Sequence, residues 1–267
     1  MPSNKGLKID IRRKRILEIL NKDGQVRVAD LARDLGTTPV TIRSDLAALK
    51  QDGYLERTAG GAIQTVKNFY NMEFLRRSQK NAWAKKYIAQ AAASMIHDGE
   101  TLFINSGTTS YFTAMALKQY KNINVVTNSI MVAVELGDVP TFRVILLGGQ
   151  INTQYSFTYG SNCLDQLRQY NAAKTILSMD GISVAMGFTT YHAEEAEINR
   201  AMISRARETI VVADHTKIDY ESFSLVSPLS SAACLVTDKT EVQTPNLARI
   251  SATGLRIMGI DIPDRED

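Results

Sequence analysis

Several runs of small polar residues fall where an apolar run ends and a helical pattern begins. Ser106-Gly107-Thr108-Thr109 follows Thr101–Asn105, and Thr127-Asn128-Ser129, Gly148-Gly149 and Asp180-Gly181 end later apolar runs. Asp214-His215-Thr216-Lys217 follows another. A glycine turn flanked by hydroxyls at a helix start offers free backbone N–H groups, a favourable dipole and O–H donors. Lys217 adds a cation, so these junctions suit a small, hydroxylated, anionic molecule. Glu194 belongs to the acidic start of the next helix, where carboxylates are favourable whatever the function. Cys163, Cys234, His97, His192 and His215 show no ligand spacing, so neither a metal site nor a cofactor is expected.

A different chemistry is written into Thr37–Ala62, TTPVTIRSDLAALKQDGYLERTAGGA. Thr38 suits an N-cap and Pro39 the first helical position, where a missing N–H costs nothing. Ile42, Leu46 and Leu49 recur at helical spacing, which leaves Thr41, Arg43 and Ser44 facing outward near the helix start. A short polar and cationic helix start is what reaches base edges in a major groove. Asp52-Gly53 signals a turn, Tyr54–Arg57 a strand, Ala59-Gly60-Gly61 a tight turn and Ala62–Gln64 a returning strand, so Arg57 sits on a wing. Packing alone gives no purpose to such a helix start followed by a Gly-Gly wing.

The elements that must position these residues read in two styles. Upstream of the reading helix, Ile11–Leu20 is an amphipathic helix whose first turns carry Arg12, Arg13, Lys14 and Arg15. Gly24 stops it, and Ala29–Leu35 is a short helix closed by Gly36. Beyond Thr101 apolar runs alternate with helices. The strands expected are Thr101–Asn105, Asn124–Thr127, Arg143–Leu147, Lys174–Met179, Thr209–Ala213, Ala233–Thr237 and Leu255–Gly259. The helices expected are Ala82–Ile96, Ser110–Gln119, Ile130–Leu136, Asn162–Gln169 and Ala193–Arg207. This alternation predicts an α/β domain with a mostly parallel sheet, whose ligands bind beyond the carboxyl ends of the strands.

Charge separates the two parts. Residues 1–70 hold 13 Lys and Arg against 8 Asp and Glu, whereas the remainder holds 18 against 20. A basic head on a near-neutral body is the asymmetry of a nucleic-acid-binding module joined to something else. The excess is modest, so two heads of an oligomer are needed to hold phosphate at physiological salt. Residues 1–66 are expected to form the DNA-binding domain, 67–80 a linker and the start of a connecting helix, and 81–267 the sensing domain. The polar start is no secretory signal, no apolar run approaches the roughly 18 residues of a membrane span, and the expected location is the cytoplasm.

In these motifs the chain resembles the DeoR family of bacterial transcriptional regulators. The resemblance rests on Val28–Ala32, Thr41–Leu46, Gly53, Arg57 and Gly60–Ala62 in the first part. In the second it rests on Ser106–Thr109, Thr127–Ser129, Gly148-Gly149, Asp180-Gly181, Gly187–Thr190, Glu194–Glu197 and Ala213–Lys217. It implies a winged helix-turn-helix followed by a sensor similar in fold to ribose-5-phosphate isomerase and CoA transferases. It also implies a repressor of a sugar-catabolism operon, a homodimer or homotetramer, released from double-stranded operator DNA when a phosphorylated sugar binds. On this reading the DNA-contacting residues are Lys14, Arg15, Thr38, Thr41, Arg43, Ser44 and Arg57. The effector is expected on Asn105–Thr109, Thr127–Ser129, Gly148, Gly149, Asp180, Gly181, Glu194 and Lys217.

Three departures stand out: Ser44 replaces a second arginine, Ala59 a histidine before the wing glycines, and Asn105 an acidic residue before Ser-Gly-Thr-Thr. An alternative of another class is a sugar-phosphate isomerase or deaminase carrying a DNA-binding domain. Asp180, Glu197 and Lys217 would then act as acid, base and electrostatic stabiliser.

Overall fold

The computed structural model describes residues 4–263 except 52, 53 and 65; the side chains of 4–10, 14, 21, 22, 64 and 66–72 are not described. The turn expected at Asp52-Gly53 and the Lys14 side chain therefore lie outside the described residues. The chain divides into two compact units, Met1–Met72 and Glu73–Asp267.

The first unit contains α1 (Asn4–Asp23), β1 (Gln25–Arg27), α2 (Val28–Asp34), α3 (Pro39–Gln51), β2 (Leu55–Thr58) and β3 (Gly61–Gln64). The α3 helix starts where a cap is available: the Thr41 amide donates to Thr38 Oγ1 at 3.2 Å. Ile42, Leu46 and Leu49 are buried against Ile16 and Leu20 of α1, Leu31 of α2 and Leu55 of β2. Truncating Leu46 to alanine would cost about 2–5 kcal/mol. Gly36, which ends α2, sits at φ 58°, a conformation glycine adopts without strain. The wing has one strand more than the sequence suggested. Gln25–Arg27 pairs antiparallel with β3, giving the order β1-β3-β2.

The helix α4 (Val66–Gln79) crosses the division between the units, so most of the stretch expected as a linker and the start of a connecting helix is helical. In the second unit follow α5 (Ala82–Ala93), β4 (Thr101–Ile104), α6 (Thr108–Ala116), β5 (Asn124–Thr127), α7 (Ile130–Gly137) and β6 (Arg143–Leu146). Next come β7 (Gln150–Asn152), β8 (Phe157–Tyr159), α8 (Ser161–Leu167), β9 (Ala172–Ser178), β10 (Gly181–Ser183) and β11 (Gly187–Thr190). The chain continues through α9 (Ala193–Ser204), β12 (Ala206–Val212), β13 (Ser224–Ser227), β14 (Cys234–Asp238), α10 (Thr244–Ser251) and β15 (Arg256–Ile260).

All seven strands expected from the apolar runs join one parallel sheet in the order β15-β14-β12-β9-β4-β5-β6. Its two faces bury different side chains of the same strands. Leu102 and Ile104 face a core shared with Ile88, Ala114, Val132 and Leu136, on α5, α6 and α7. Phe103 and Leu177 face one shared with Leu167, Ile198, Met202 and Ile250, on α8, α9 and α10. Burial on both faces is why these strands read as unbroken apolar runs. Smaller antiparallel sheets, β10-β11-β13 and β7-β8, complete the unit. Gly187–Thr190, one of the motifs that carry the resemblance, is thus a strand.

The strand order reverses at β4, which pairs with β5 on one side and β9 on the other. Crossover helices leave such a point in opposite directions and open a crevice beyond its carboxyl edge.

Candidate functional site

On the first unit, Arg43 and Ser44 are exposed and Thr41 is half-buried at the start of α3. The hydroxyls of Thr38 and Thr41 lie 2.9 Å apart. Val40, which the sequence reading passed over, is 71 % exposed in the same turn. An apolar side chain on a reading helix can contact a thymine methyl, so this face offers both hydrogen-bonding and apolar readers. Arg57 on β2 donates through Nη1 to the Arg43 carbonyl at 3.4 Å, which fastens the wing to the reading helix. Arg15 is exposed and pairs with Glu18 at 2.7 Å, within reach of solvent or phosphate. Arg12 and Arg13 are engaged inward, where Arg12 Nε and Arg13 Nε donate to the buried Asp45 carboxylate at 2.5 and 3.2 Å. Arg12 is thereby held above its ordinary value, mainly by the Asp45 hydrogen bond.

On the second unit, a cavity of about 540 Å³ is lined by Glu73, Arg76, Arg77, Lys80, Tyr155, Asp180, Tyr191, Thr216, Lys217, Tyr220 and Ser222. A smaller one of about 30 Å³ shares Arg77, Lys80, Thr216 and Lys217 and reaches Thr108 and Thr109 at the amino end of α6. A helix start has N–H groups with no partner inside the helix and carries the positive end of its dipole. Gly107, just before Thr108, packs against β9: a Cβ there would lie 2.1 Å from Ser178 Cβ.

Asp180 organises the floor. Its Oδ1 accepts from Arg77 Nη2 at 2.7 Å and lies 3.8 Å from Lys217 Nζ, and its Oδ2 accepts from the Tyr191 amide at 3.0 Å. Burial works to raise this carboxyl, yet Arg77, Lys217 and the hydrogen bonds carry it below the usual range. Lys217 is pushed down by burial, against the pull of Asp180. Behind them Glu195 is buried and accepts from Ser106 Oγ at 2.8 Å. Burial, then the Asp180 charge, raises its carboxyl. Lys85, also buried, donates to the carbonyls of Arg77 (2.7 Å) and Lys80 and lies 3.8 Å from Asp214. Burial brings its ammonium down to about 8.

Of the expected effector residues, Asp180, Lys217, Thr108 and Thr109 line these cavities and Gly107 caps α6. The others line neither, for identifiable reasons. Asn105 spends its amide tying β4 to β9: Nδ2 donates to Ser178 O at 2.9 Å and Oδ1 accepts from the Ser178 amide at 3.0 Å. Ser106 is committed to Glu195. Thr127 Oγ1 donates to Ile104 O, Asn128 Nδ2 donates to Thr158 O, and Ser129 Oγ caps α7 by accepting from Val132 N. The Gly148 amide donates to Gln166, Gly149 packs against the Tyr159 carbonyl, and Gly181 is paired within β10. Glu194 is exposed; the buried carboxylate of that turn is its neighbour Glu195.

The sequence reading missed Arg76, Arg77, Lys80, Lys85 and the tyrosines. The basic cluster Arg76-Arg77 with Lys80 was visible as composition, but its meaning depended on partners such as Asp180 far along the chain. Tyr155 has the Arg77 guanidinium 5.4 Å from its ring centre and His192 packed edge-on at 4.5 Å. Among the described residues no group of three His, Cys, Asp or Glu is arranged to hold a metal ion, and no helix is long and apolar enough to cross a membrane.

Comparison with known proteins adds sequence relationships to this geometry. The DeoR-like helix-turn-helix domain matches residues 12–67, and the DeoR C terminal sensor domain matches residues 80–239. The HTH-type transcriptional repressor GlcR of Bacillus subtilis strain 168 is 31 % identical over 224 residues, covering 84 % of this chain and 86 % of that protein. The glycerol-3-phosphate regulon repressor of Escherichia coli K12 is 30 % identical over 223 residues, covering 84 % and 88 %. Among solved structures, ribose 5-phosphate isomerase A from Methanocaldococcus jannaschii overlaps 50 % of this chain and 52 % of its own, with 12 % identity and a TM-score of 0.37.

Proposed function

Since this chain belongs to the DeoR family of DNA-binding transcriptional regulators, we propose that it is a repressor of a sugar-catabolism operon, relieved by a phosphorylated sugar. The observation that carries the effector class is the charge around the larger cavity. Arg76, Arg77, Lys80 and Lys217 face two carboxylates, Glu73 and Asp180. An excess of two positive charges suits the dianion of a phosphate monoester. The start of α6, with Thr108 and Thr109, supplies backbone donors beside Arg77, Lys80 and Lys217. Tyr155, Tyr191 and Tyr220 offer ring faces and hydroxyls to the sugar.

The ligand is bound and returned unchanged. Glu197, the base that an isomerase reading requires, is exposed and lines neither cavity. The DNA face is Thr38, Thr41, Arg43 and Ser44 for base edges or helix position, with Arg15 and Arg57 on phosphates. The working form is a cytoplasmic homodimer or homotetramer that sets two such faces on operator half-sites about one helical turn or a multiple apart.

A thermal-shift series with phosphorylated sugars and their unphosphorylated parents tests the reading, because a ligand specific to the native state raises the melting temperature by mass action. At least one phosphorylated sugar should raise it, its parent should not, and the same compound should weaken binding to duplexes from the neighbouring promoter. Equal shifts with the parent sugars, or turnover of the phosphate ester, would overturn it.

A further inference from the structure

The last turn of α4 is attached to the cavity by polar contacts at its far end, and by an apolar one a turn earlier. Phe74 is buried and packs edge-on against Tyr111 of α6, ring centres 5.3 Å apart. Three residues on, Arg77 reaches Asp180 at 2.7 Å, and the carbonyls of Arg77 and Lys80 are capped by Lys85. Asn81, at φ 53° just past the helix, donates to Asp214 at 3.1 Å. Phe74 is thus a fixed point, and Arg77 and Lys80 beyond it are held through charged groups that line the cavities.

Asp180 occupies the position an incoming anion must contest. It accepts from one nitrogen of Arg77 and stands near Lys217, the two cations an anion in that cavity would also use. A guanidinium prefers planar, bidentate partners, and a phosphate competes with a carboxylate for it on equal terms or better. The dianion and the Asp180 carboxylate also repel each other in a half-buried setting.

Resting on the effector reading above, we infer that Asp180 is an internal competitor for the effector's anionic group. Transfer of Arg77 from Asp180 to the ligand displaces the end of α4 about Phe74. Because α4 is one continuous helix back to Val66, the displacement is carried along the chain toward the DNA-binding unit. Effector affinity and operator release are then separable: Lys217 contributes to the first, and Arg77 to both. A ligand shifts the equilibrium only through such a difference between the two states.

The test uses the full chain with glucose 6-phosphate, fructose 6-phosphate and inorganic phosphate as probes. Thermal shift reports binding, operator titration reports release, and hydrogen exchange over 73–80 reports the turn. In the unsubstituted protein the best probe should lower operator affinity by about 5–150-fold, the usual range of such coupling. At saturating probe, K217Q should keep that factor, whereas R77Q, which like D180N lacks the Arg77–Asp180 contact, should hold operator weakly with or without probe and show no such factor, with R77K restoring part. D180N should bind the probe more tightly and, with no probe added, hold operator more weakly than the unsubstituted chain. Tight operator binding by R77Q without probe that falls by the full factor when probe is added, or exchange over 73–80 that ignores a bound probe, would overturn the inference while leaving the effector reading intact. Should no probe move the melting temperature of the unsubstituted protein, the effector reading itself fails for these compounds, and this inference fails with it.

Discussion

Thr190 Oγ1 lies 2.9 Å from Glu195 Oε2, and the same oxygen lies 3.0 Å from Asp180 Oδ2. A hydroxyl has one hydrogen, so it cannot donate to two carboxylates at once. The arrangement closes if Glu195 keeps its proton: Oε2–H donates to Thr190, and Thr190 donates to Asp180. Burial and the neighbouring Asp180 charge favour that state of Glu195, while Arg77 and Lys217 keep Asp180 ionised.

Glu195→Gln should therefore be well tolerated, since an amide donates to Thr190 and still accepts from Ser106. The sign of the pH effect follows from the raised carboxyl. Its stabilising contribution is complete below the ordinary value of 4.5 and is lost as pH rises through the higher folded-state value. The unsubstituted protein should lose melting temperature relative to E195Q as pH rises from about 4.5 toward that value. A difference that stays constant with pH would place the proton elsewhere.

Lys85 gives the opposite slope. Its folded-state value is about 8 against 10.5 for a free lysine, so the unfolded chain binds the extra proton between those values. Stability must rise with pH across that window, as the buried charge is shed. Lys85→Met should abolish the rise. At pH 7 it should also cost about 3 kcal/mol, because Asp214 and the carbonyls of Arg77 and Lys80 lose a buried donor. Denaturant titrations at pH 7, 8, 9 and 10 measure both; a parallel pair of curves would refute the assignment.

The parallel sheet was legible because each strand is apolar on both faces, and its polar junctions mark the carboxyl edge. What escaped were elements defined by partners. Gln25–Arg27 and Gly181–Ser183 are three residues each and are strands only because β3 and β11 lie beside them. The same holds for the site. Asn105 and Ser106 looked like ligand donors because small polar residues at a junction do, but Asn105 ties β4 to β9 and Ser106 donates to Glu195. Arg77 looked like a linker cation because its partner, Asp180, is 103 residues away.

On the DNA face, Arg43 and Arg57 should fail in different ways. Arg43 projects from the reading helix with no base-independent role evident, so Arg43→Ala should cost about 1–3 kcal/mol on the cognate operator and flatten discrimination at one position. Arg57 fastens the wing to the Arg43 carbonyl, so Arg57→Ala should weaken all duplexes alike. Neither should change the thermal shift caused by an effector. Titrations against an operator and its single-base variants at fixed salt distinguish the two; equal losses on every duplex for R43A would remove it from base reading.

The basic start of α1 divides into structural and phosphate-facing charges. Asp45 is 2 % exposed in the middle of α3, and it takes Arg12 through two nitrogens, at 2.5 and 3.2 Å, as well as Arg13. A carboxylate buried in a reading helix is stable only with such partners, so the three residues set how α1 crosses α3. Asp45→Ala should destabilise the first unit by about 2–4 kcal/mol, less than a fully buried pair because both arginines retain some contact with water. Arg12 and Arg13, spent on Asp45, should contribute little to counterion release, whereas exposed Arg15 should contribute about one phosphate contact. The logarithmic salt dependence of operator binding should then become shallower by about 0.9 for Arg15→Ala and stay unchanged for Arg12→Ala under conditions where that variant is folded. A shallower slope for Arg12→Ala would mean that the Asp45 pairing opens on DNA.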